Sequence, residues 1–285
     1  MLDAVDLEGW FADHGRDLPW RRTRDPWSIL VSEIMLQQTQ VSRVIDRWHR
    51  FLDRFPTPAV TAGAPVAAVI DEWSGLGYNR RAVNLHRCAV AVTERFGGTM
   101  PATLDELLSL PGVGAYTARA VAVFAFEQDE AVVDTNVARI LARTAGRTMT
   151  RAEVQRLADE CVVGRDPWAW NQAMLDVGAA YCRPDPDCGP CPFSPVCRWH
   201  LAGGHDPDPA DGSAGVSGRQ SRFEGSDRQG RGRLVRALRH GPVADEDLAA
   251  VMGWADDTSR AERVAATLVA DGLTVHVNGR YLLPS

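Results

Sequence analysis

Four cysteines fall within sixteen residues, Cys182, Cys188, Cys191 and Cys197, in the order C-x5-C-x2-C-x5-C. Thiolates crowded this closely point to a metal centre, and a loop tied to one is the tightest constraint in the chain. The central Cys-Gly-Pro-Cys step makes a tight turn, so chelation costs little chain entropy, and Pro184, Pro186, Pro190, Pro192 and Pro195 stiffen the surroundings. Tetrahedral zinc and a [4Fe-4S] cluster both take four thiolates, and the spacing does not separate them. Two disulfides are the other use of four cysteines; the expected absence of a secretory leader argues for a reducing compartment and against them.

With 285 residues the chain is long enough for two domains and a sizeable core. Its longest apolar run, residues 120–126, is far short of the ~20 residues that cross a bilayer, so no membrane role is expected. The net charge of −6 argues against a strongly basic nucleic-acid binder but leaves local patches open. All 31 basic residues are arginine. No side-chain amine exists to form a Schiff base.

Residues 1–200 carry apolar positions at intervals of three and four, the period of helices. Asp25-Pro26 supplies an N-cap and a first-turn proline for a helix bearing Trp27, Ile29, Leu30, Ile34 and Leu36. Further helices are expected over 41–55, 65–73, 80–96, 103–108, 115–126, 136–145, 151–162 and 168–181, an all-α arrangement. Residues 201–226 turn to Gly, Asp, Pro and Ser and read as a flexible linker. Within 227–285, helices are expected over 228–240, 245–252 and 258–270. An alternating run from Leu273, an Asn278-Gly279 turn and a return over 280–283 follow, which together suggest a winged helix. Eight Arg face eight Asp and Glu in this segment, so its electrostatic DNA footprint is weak and a packing role is equally open.

The stretch Leu110-Pro111-Gly112-Val113-Gly114 lies between two helical segments. Its glycines permit a nest of outward N–H groups at the start of a helix, a phosphate site that reads no sequence. This hairpin, then Val133-Asp134-Thr135-Asn136-Val137, then the cysteine loop, resembles in that order the endonuclease III superfamily of helix-hairpin-helix DNA glycosylases, over roughly residues 8–200. The resemblance implies that Cys182, Cys188, Cys191 and Cys197 hold a [4Fe-4S] cluster. One departure is the first gap, five residues where six is usual.

Within the superfamily the chain is similar to the MutY family of adenine glycosylases, in a short form without a Nudix-like C-terminal domain. The matching motifs are Ser32-Glu33-Ile34-Met35-Leu36-Gln37-Gln38-Thr39-Gln40 and Gly75-Leu76-Gly77-Tyr78 with Arg81, Asn84, Leu85 and His86. That resemblance implies that Glu33 protonates a flipped adenine, that Asp134 stabilises the sugar cation, and that Gln38 and Tyr78 enter the base stack. Asn136 joins the catalytic set, and Leu76, Leu110, Gly112, Val113 and Gly114 join the DNA contacts. Tyr116 occupies the position where bifunctional members carry an attacking lysine. The implied activity is monofunctional base excision of adenine opposite 8-oxoguanine or guanine in double-stranded DNA. The protein is expected to be a monomer working in the bacterial cytoplasm, at the nucleoid.

Physical chemistry fits those roles independently. Glu33 sits in an otherwise apolar helix, where its pKa is expected to rise as a general acid requires. Asp134 opens a helix whose N–H groups and dipole favour its charged form, suited to face a cationic transition state. Arg16, Arg21, Arg22, Arg80 and Arg81 are either phosphate contacts or solvated charges, with no role assigned to any. Cys88 and Cys161 are expected to be buried free thiols. The expected division is 1–24 with 131–200, carrying the cluster loop; 25–130, a helical barrel with the hairpin; the 201–226 linker; and a winged-helix-like 227–285, which is expected to assist lesion selection. Two other readings stay open: another mismatch or damaged-base glycosylase of the same fold, and a non-catalytic iron–sulfur regulator, which would need neither Glu33 nor Asp134.

Overall fold

A computed structural model describes residues 5–213 and 222–285. In chain order the helices are α1 (Leu7–His14), α2 (Pro26–Leu36), α3 (Val41–Arg54), α4 (Pro58–Ala62), α5 (Val66–Glu72) and α6 (Arg80–Phe96). Next come α7 (Leu104–Leu108), α8 (Ala115–Phe126), α9 (Thr135–Ala145), α10 (Arg151–Val162), α11 (Pro167–Ala180) and α12 (Arg198–Leu201). The C-terminal part holds α13 (Asp227–Leu238), α14 (Leu248–Met252), α15 (Thr258–Ala270) and the strands β1 (Val243–Ala244), β2 (Val275–Val277) and β3 (Arg280–Leu282). The all-α expectation holds, and among the described residues no helix is long and apolar enough to cross a membrane. The helices that periodicity missed are short. α4, for example, is a single turn set by the Thr57 cap and Pro58 rather than by any repeat.

The chain forms two compact units. One takes the described residues among Met1–Pro26, Ala102–Leu104 and Gly114–Arg219; the other takes Trp27–Pro101, Asp105–Val113 and the described residues from 222 to Ser285. This division departs from the sequence expectation at two places. α8 groups with the cysteine-bearing unit, where Arg119 pairs with Glu130 and Asp159, and Gln128 Nε2 donates to the Ala102 carbonyl. The 227–285 segment groups with α2–α6 rather than standing apart.

In the first unit α9 and α11 supply the core, with Val137, Ile140 and Leu141 packed among Trp170, Met174 and Val177, and Leu7 and Phe193 closing it. Asp176 on α11 is 2% exposed and takes the Arg16 backbone N–H and Nε together with both terminal nitrogens of Arg21. Arg21 is therefore an internal strut rather than a phosphate contact, while Arg16 grips the same carboxylate from an exposed position. Arg22 pairs with the exposed Asp17. The expected linker also begins later than its composition suggests. Asp208 is the counter-ion of buried Arg143, Ala210 is buried, and Ser213 accepts from the Met149 N–H. A Gly/Asp/Pro-rich run hides such a tether because one ion pair leaves no periodic trace. Residues 214–221 of that expected linker lie outside the described residues.

In the second unit α2 is buried from Trp27 to Met35 apart from half-buried Ser28, with Trp27 Nε1 donating to the Phe55 carbonyl and Trp48 Nε1 to that of Ser28. Cys88 is inside, its thiol pushed up to about 12 by burial. Cys161, in the first unit, is only partly buried. The C-terminal module is a three-stranded antiparallel sheet, order β1-β3-β2, beside α13, α14 and α15. Its turn residues Asn278 and Gly279 both have positive φ, the geometry a two-residue hairpin selects. The Arg239 guanidinium fastens the module by donating to the Ile70 and Asp71 carbonyls near the end of α5 and to the Ser74 hydroxyl.

Burial pushes the Asp176 carboxyl up, but hydrogen bonds from Arg21 and Arg16 outweigh it and leave the group below its ordinary value. A carboxylate with a lowered folded pKa contributes stability above its unfolded pKa and loses it as pH falls through the folded one. Asp176→Ala is expected to cost about 3–5 kcal/mol near neutral pH. In urea melts of the two proteins, the gap should close as pH drops below about 4, the ordinary carboxylate value. A pH-independent gap would count against the ion-pair account.

Candidate active site and cysteine centre

In the second unit, Glu33 lies in the last turns of α2 and is 5% exposed. Past Leu36 the chain turns through Gln38, which has φ of 55°, and Tyr78 on a facing loop has φ of 46°. Among the described residues four non-glycine residues adopt such left-handed backbone; the other two are an ordinary helix C-cap, Glu127, and the hairpin turn Asn278. Gln38 and Tyr78 each carry strain of roughly 1–3 kcal/mol. Both side chains are exposed, Tyr78 to 41%. The facing loop also needs Gly75 and Gly77 at positive φ.

Arg81 binds the two strained loops into one object. Its Nη1 donates to the carbonyls of Ile34 at 2.7 Å, Met35 at 2.9 Å and Gln37 at 2.7 Å. Its Nη2 donates to the Thr39 hydroxyl at 3.1 Å and to the carbonyls of Leu76 at 3.1 Å and Gly77 at 3.0 Å. The guanidinium lies 5.4 Å from the Trp73 ring centroid and 5.6 Å from that of Tyr78. Burial draws its pKa down to about 10, so it stays cationic at neutral pH. Neither of the alternatives expected for Arg81, phosphate contact or solvated charge, matches this buried clamp.

Leu76 departs from expectation too. Its side chain is 5% exposed and its carbonyl is taken by Arg81 and Thr39, so it presents neither to DNA. At the hairpin, Leu110 and Val113 are buried, and the Val113 N–H is spent on the Leu110 carbonyl. Gly112, at φ of 78°, is exposed and packs so tightly on Asn84 that a Cβ would come within 2.7 Å of the asparagine Cβ. The first unit resumes at Gly114, the exposed N-cap of α8, where no side chain caps the helix. Tyr116 sits half-buried in the first turn of α8.

In that first unit Asp134 is the N-cap of α9. One oxygen takes the backbone N–H groups of Asn136 and Val137, both at 2.8 Å, and the other takes Asn136 Nδ2 at 2.7 Å. Burial pushes its carboxyl above the ordinary value, against the pull of these donors and of Arg139. The helix start thus fixes the group in place, while burial opposes the charged form that the sequence reading expected the helix start to favour. Asn136 Oδ1 accepts from Arg139, whose Nε donates to the Cys182 carbonyl at 2.8 Å. Gly178 of α11 makes room, since a Cβ there would lie 2.6 Å from that of Asn136. A glycine inside an otherwise apolar helix was the available signal for this close approach.

Cys182, Cys188, Cys191 and Cys197 line one small cavity with Arg143 and Trp199. Arg143 Nη1 donates to Cys182 Sγ at 3.4 Å and to the Arg183 carbonyl at 2.7 Å. Backbone N–H groups reach the sulfurs of Cys191, from Phe193, and of Cys197, from His200 and Trp199. Burial pushes all four thiols up, Cys191 to about 11, while these donors favour the thiolate. Among the described residues, no set of three or more His, Cys, Asp or Glu side chains is arranged to hold a single metal ion.

Arg81→Leu would take a donor from six acceptors, of which the Ile34, Met35 and Leu76 carbonyls are buried, at a cost of about 1 kcal/mol or more for each left unpaired. Destabilisation beyond about 3 kcal/mol in urea unfolding is expected, with Arg81→Lys recovering only part because ammonium lacks the planar fork. A lysine variant as stable as the native protein would show that charge alone suffices.

Comparison with known proteins agrees with this geometry. Residues 31–162 match the HhH-GPD superfamily of base excision DNA repair proteins. The adenine DNA glycosylase of Mycolicibacterium smegmatis is 40% identical over 291 residues, covering 99% of this chain and 96% of that protein. The human adenine DNA glycosylase is 40% identical over 67% of this chain and 38% of its own length. A solved thermostable thymine-DNA glycosylase superposes with a TM-score of 0.64 at 29% identity, over 69% of this chain and 94% of that one. Identity of 40% over 99% of this chain makes it a member of the adenine DNA glycosylase family within the HhH-GPD superfamily.

Proposed function

We propose that the protein is a monofunctional adenine DNA glycosylase of base excision repair, hydrolysing the bond between sugar and adenine where adenine is mispaired with guanine or 8-oxoguanine. Full-length identity to the Mycolicibacterium smegmatis enzyme supports the class of reaction. The observation that carries the residue roles is Asp134, a carboxyl immobilised by three donors at a helix start. A group so held need not reorganise as positive charge develops on the sugar.

In this mechanism Glu33, a buried carboxyl, gives its proton to the extruded adenine as the glycosidic bond breaks and the bonding electrons leave with the base. Asp134 stabilises the sugar cation in its ionised form, and Asn136 keeps it oriented. Water then adds to the cation and loses a proton, which replaces the one Glu33 gave up, leaving an abasic site in an unbroken strand. Tyr116 stands where an attacking lysine would be, and no lysine occurs anywhere in the chain. Gln38 and Tyr78, exposed on strained loops, fill the gap left by the extruded base, while Gly112 and Gly114 lie against the backbone. Cys182, Cys188, Cys191 and Cys197 would hold a [4Fe-4S] cluster, whose contribution when bound is to cross-link the loop between Tyr181 and Arg198. The working form is a cytoplasmic monomer on double-stranded DNA.

Single-turnover excision on duplexes carrying A opposite 8-oxoguanine, A opposite G and T opposite G is the deciding assay. Adenine release in the first two, lost in Glu33→Gln, is expected, with a product that breaks only on treatment with alkali. The likeness to a thymine-DNA glycosylase favours one second reading, and preferential release from T opposite G would establish it instead. Because burial raises the Asp134 carboxyl and the ionised form is the active one, the rate should climb with pH through a value above the ordinary carboxylate range. Asp134→Asn should remove both that limb and most of the rate.

The cysteine centre has its own check. The purified native protein is expected to contain iron and inorganic sulfide in equal amounts and to absorb broadly in the visible, with Cys191→Ser reducing both. Colourless protein with one zinc per chain would overturn the cluster.

A further inference from the structure

The C-terminal module places one face of α13 in the same cleft as the strained loops. Within the second unit a cleft of about 1390 Å³ is lined by Gln38 and Tyr78 on one side and by Arg228, Arg231, Arg236 and Arg239 on the other. Those four arginines, with Gly232 and Val235, recur at intervals of three and four, so they form a single helical stripe. Arg233, off the stripe, points instead to the Met252 carbonyl. Eight Arg and eight Asp or Glu in 227–285 make the segment neutral in sum, yet the cleft receives four of those arginines and only one of those acids, Asp271.

Two of the four arginines anchor the stripe. Arg231 pairs with Asp271, and Arg239 is tied to Ile70, Asp71 and Ser74. Arg228 donates to the Tyr78 hydroxyl at 3.0 Å and lies 6.0 Å from the ring of Phe223, itself 57% exposed. Arg236 is exposed and, with Arg43 across the cleft, has no ion pair among the described residues. Burial draws the Arg239 pKa down, and the Arg47 and Arg236 charges add to this against the pull of Asp71 and Glu72. Like charges gathered beside an intercalating loop, in a chain of net charge −6, are stabilised by a polyanion running along the cleft.

We propose that the arginine face of α13 is a second DNA-backbone surface: Arg236 and Arg228 contact phosphates beside the base step that Tyr78 enters, and Arg228 also holds the Tyr78 ring in place. This rests on the glycosylase reading above. It differs from the usual use of a winged helix, in which the third helix enters a groove. Here Arg260 and Arg263 of α15 are paired with Asp227, and α15 does not supply the charged stripe.

The test measures the dissociation constant of the full-length protein for two duplexes as a function of salt. One duplex is fully paired; the other carries A opposite G on a fluorinated sugar that resists excision. Arg236→Gln and Arg228→Gln are each expected to weaken binding to both duplexes. Each should flatten the slope of log K against log salt by about 0.9, and the double variant by about 1.8. Arg263→Gln, on the same module but outside the cleft, should leave the slope unchanged. Tyr78→Phe should keep the slope while removing the Arg228 contact. Circular dichroism melts confirm folding, and Arg236→Gln breaks no ion pair that could unfold the module. Slopes unchanged in the double variant, or lowered equally by Arg263→Gln, while the native protein still excises adenine, overturn this proposal alone. Flattened slopes in a protein that excises no adenine would uphold the α13 surface and overturn the activity.

Discussion

The end of α2 is the point on which the second unit turns. A helix buried over nearly its whole length cannot hand its last carbonyls to water, and orphaned carbonyls in a dry interior cost about 1–3 kcal/mol each. One guanidinium solves this at Ile34, Met35 and Gln37, and the same group reaches across to Leu76, Gly77 and Thr39. Because its plane is rigid, satisfying one loop fixes the other. Gln38 and Tyr78 can then be held at positive φ, a strain that neither loop would sustain alone. The exposed side chains of the site owe their positions to a buried cation.

The first unit repeats the device with different partners. Arg143 joins α9 to the cysteine loop and to Asp208, Arg139 joins the Asp134–Asn136 pair to Cys182, and Arg16 with Arg21 closes on Asp176. Arg139 and Arg143 each meet several acceptors with one planar cation, which guanidinium does and ammonium does not, while at Asp176 two guanidiniums share one carboxylate. A chain without lysine is well supplied for such joints. Charge is used here chiefly as internal fastening, which is why 31 arginines leave so small a group facing the cleft.

Much of this was legible in the sequence and some was misread. Long helices such as α6, α8, α10 and α15 fall where their three-and-four periodicity puts them, because that period is the imprint of a buried stripe. The cysteine quartet, Asp134 at a helix start and Glu33 on an apolar helix were equally visible. Leu76 was misread: its motif lies in an exposed loop, but the side chain turns inward. Arg81 was left undecided because a buried arginine and a solvated one look alike until their acceptors are known. The acceptors were backbone carbonyls, which carry no residue identity. Asp208 looked like linker for a related reason, since its partner lies 65 positions away.

The sequence by itself determined the helix order, the chemistry available at Glu33, Asp134 and the four sulfurs, and, through the absence of lysine, that no side-chain imine can form. Only the tertiary structure decided which arginines are struts and which face the cleft. It also decided that a charge-neutral C-terminal segment sets a basic stripe beside Tyr78. Net charge is a sum over residues and survives any fold, whereas the sign of a surface depends on which helix face packs inward. That is fixed by neighbours distant in sequence, here Ile70, Asp71 and Ser74 gripping Arg239.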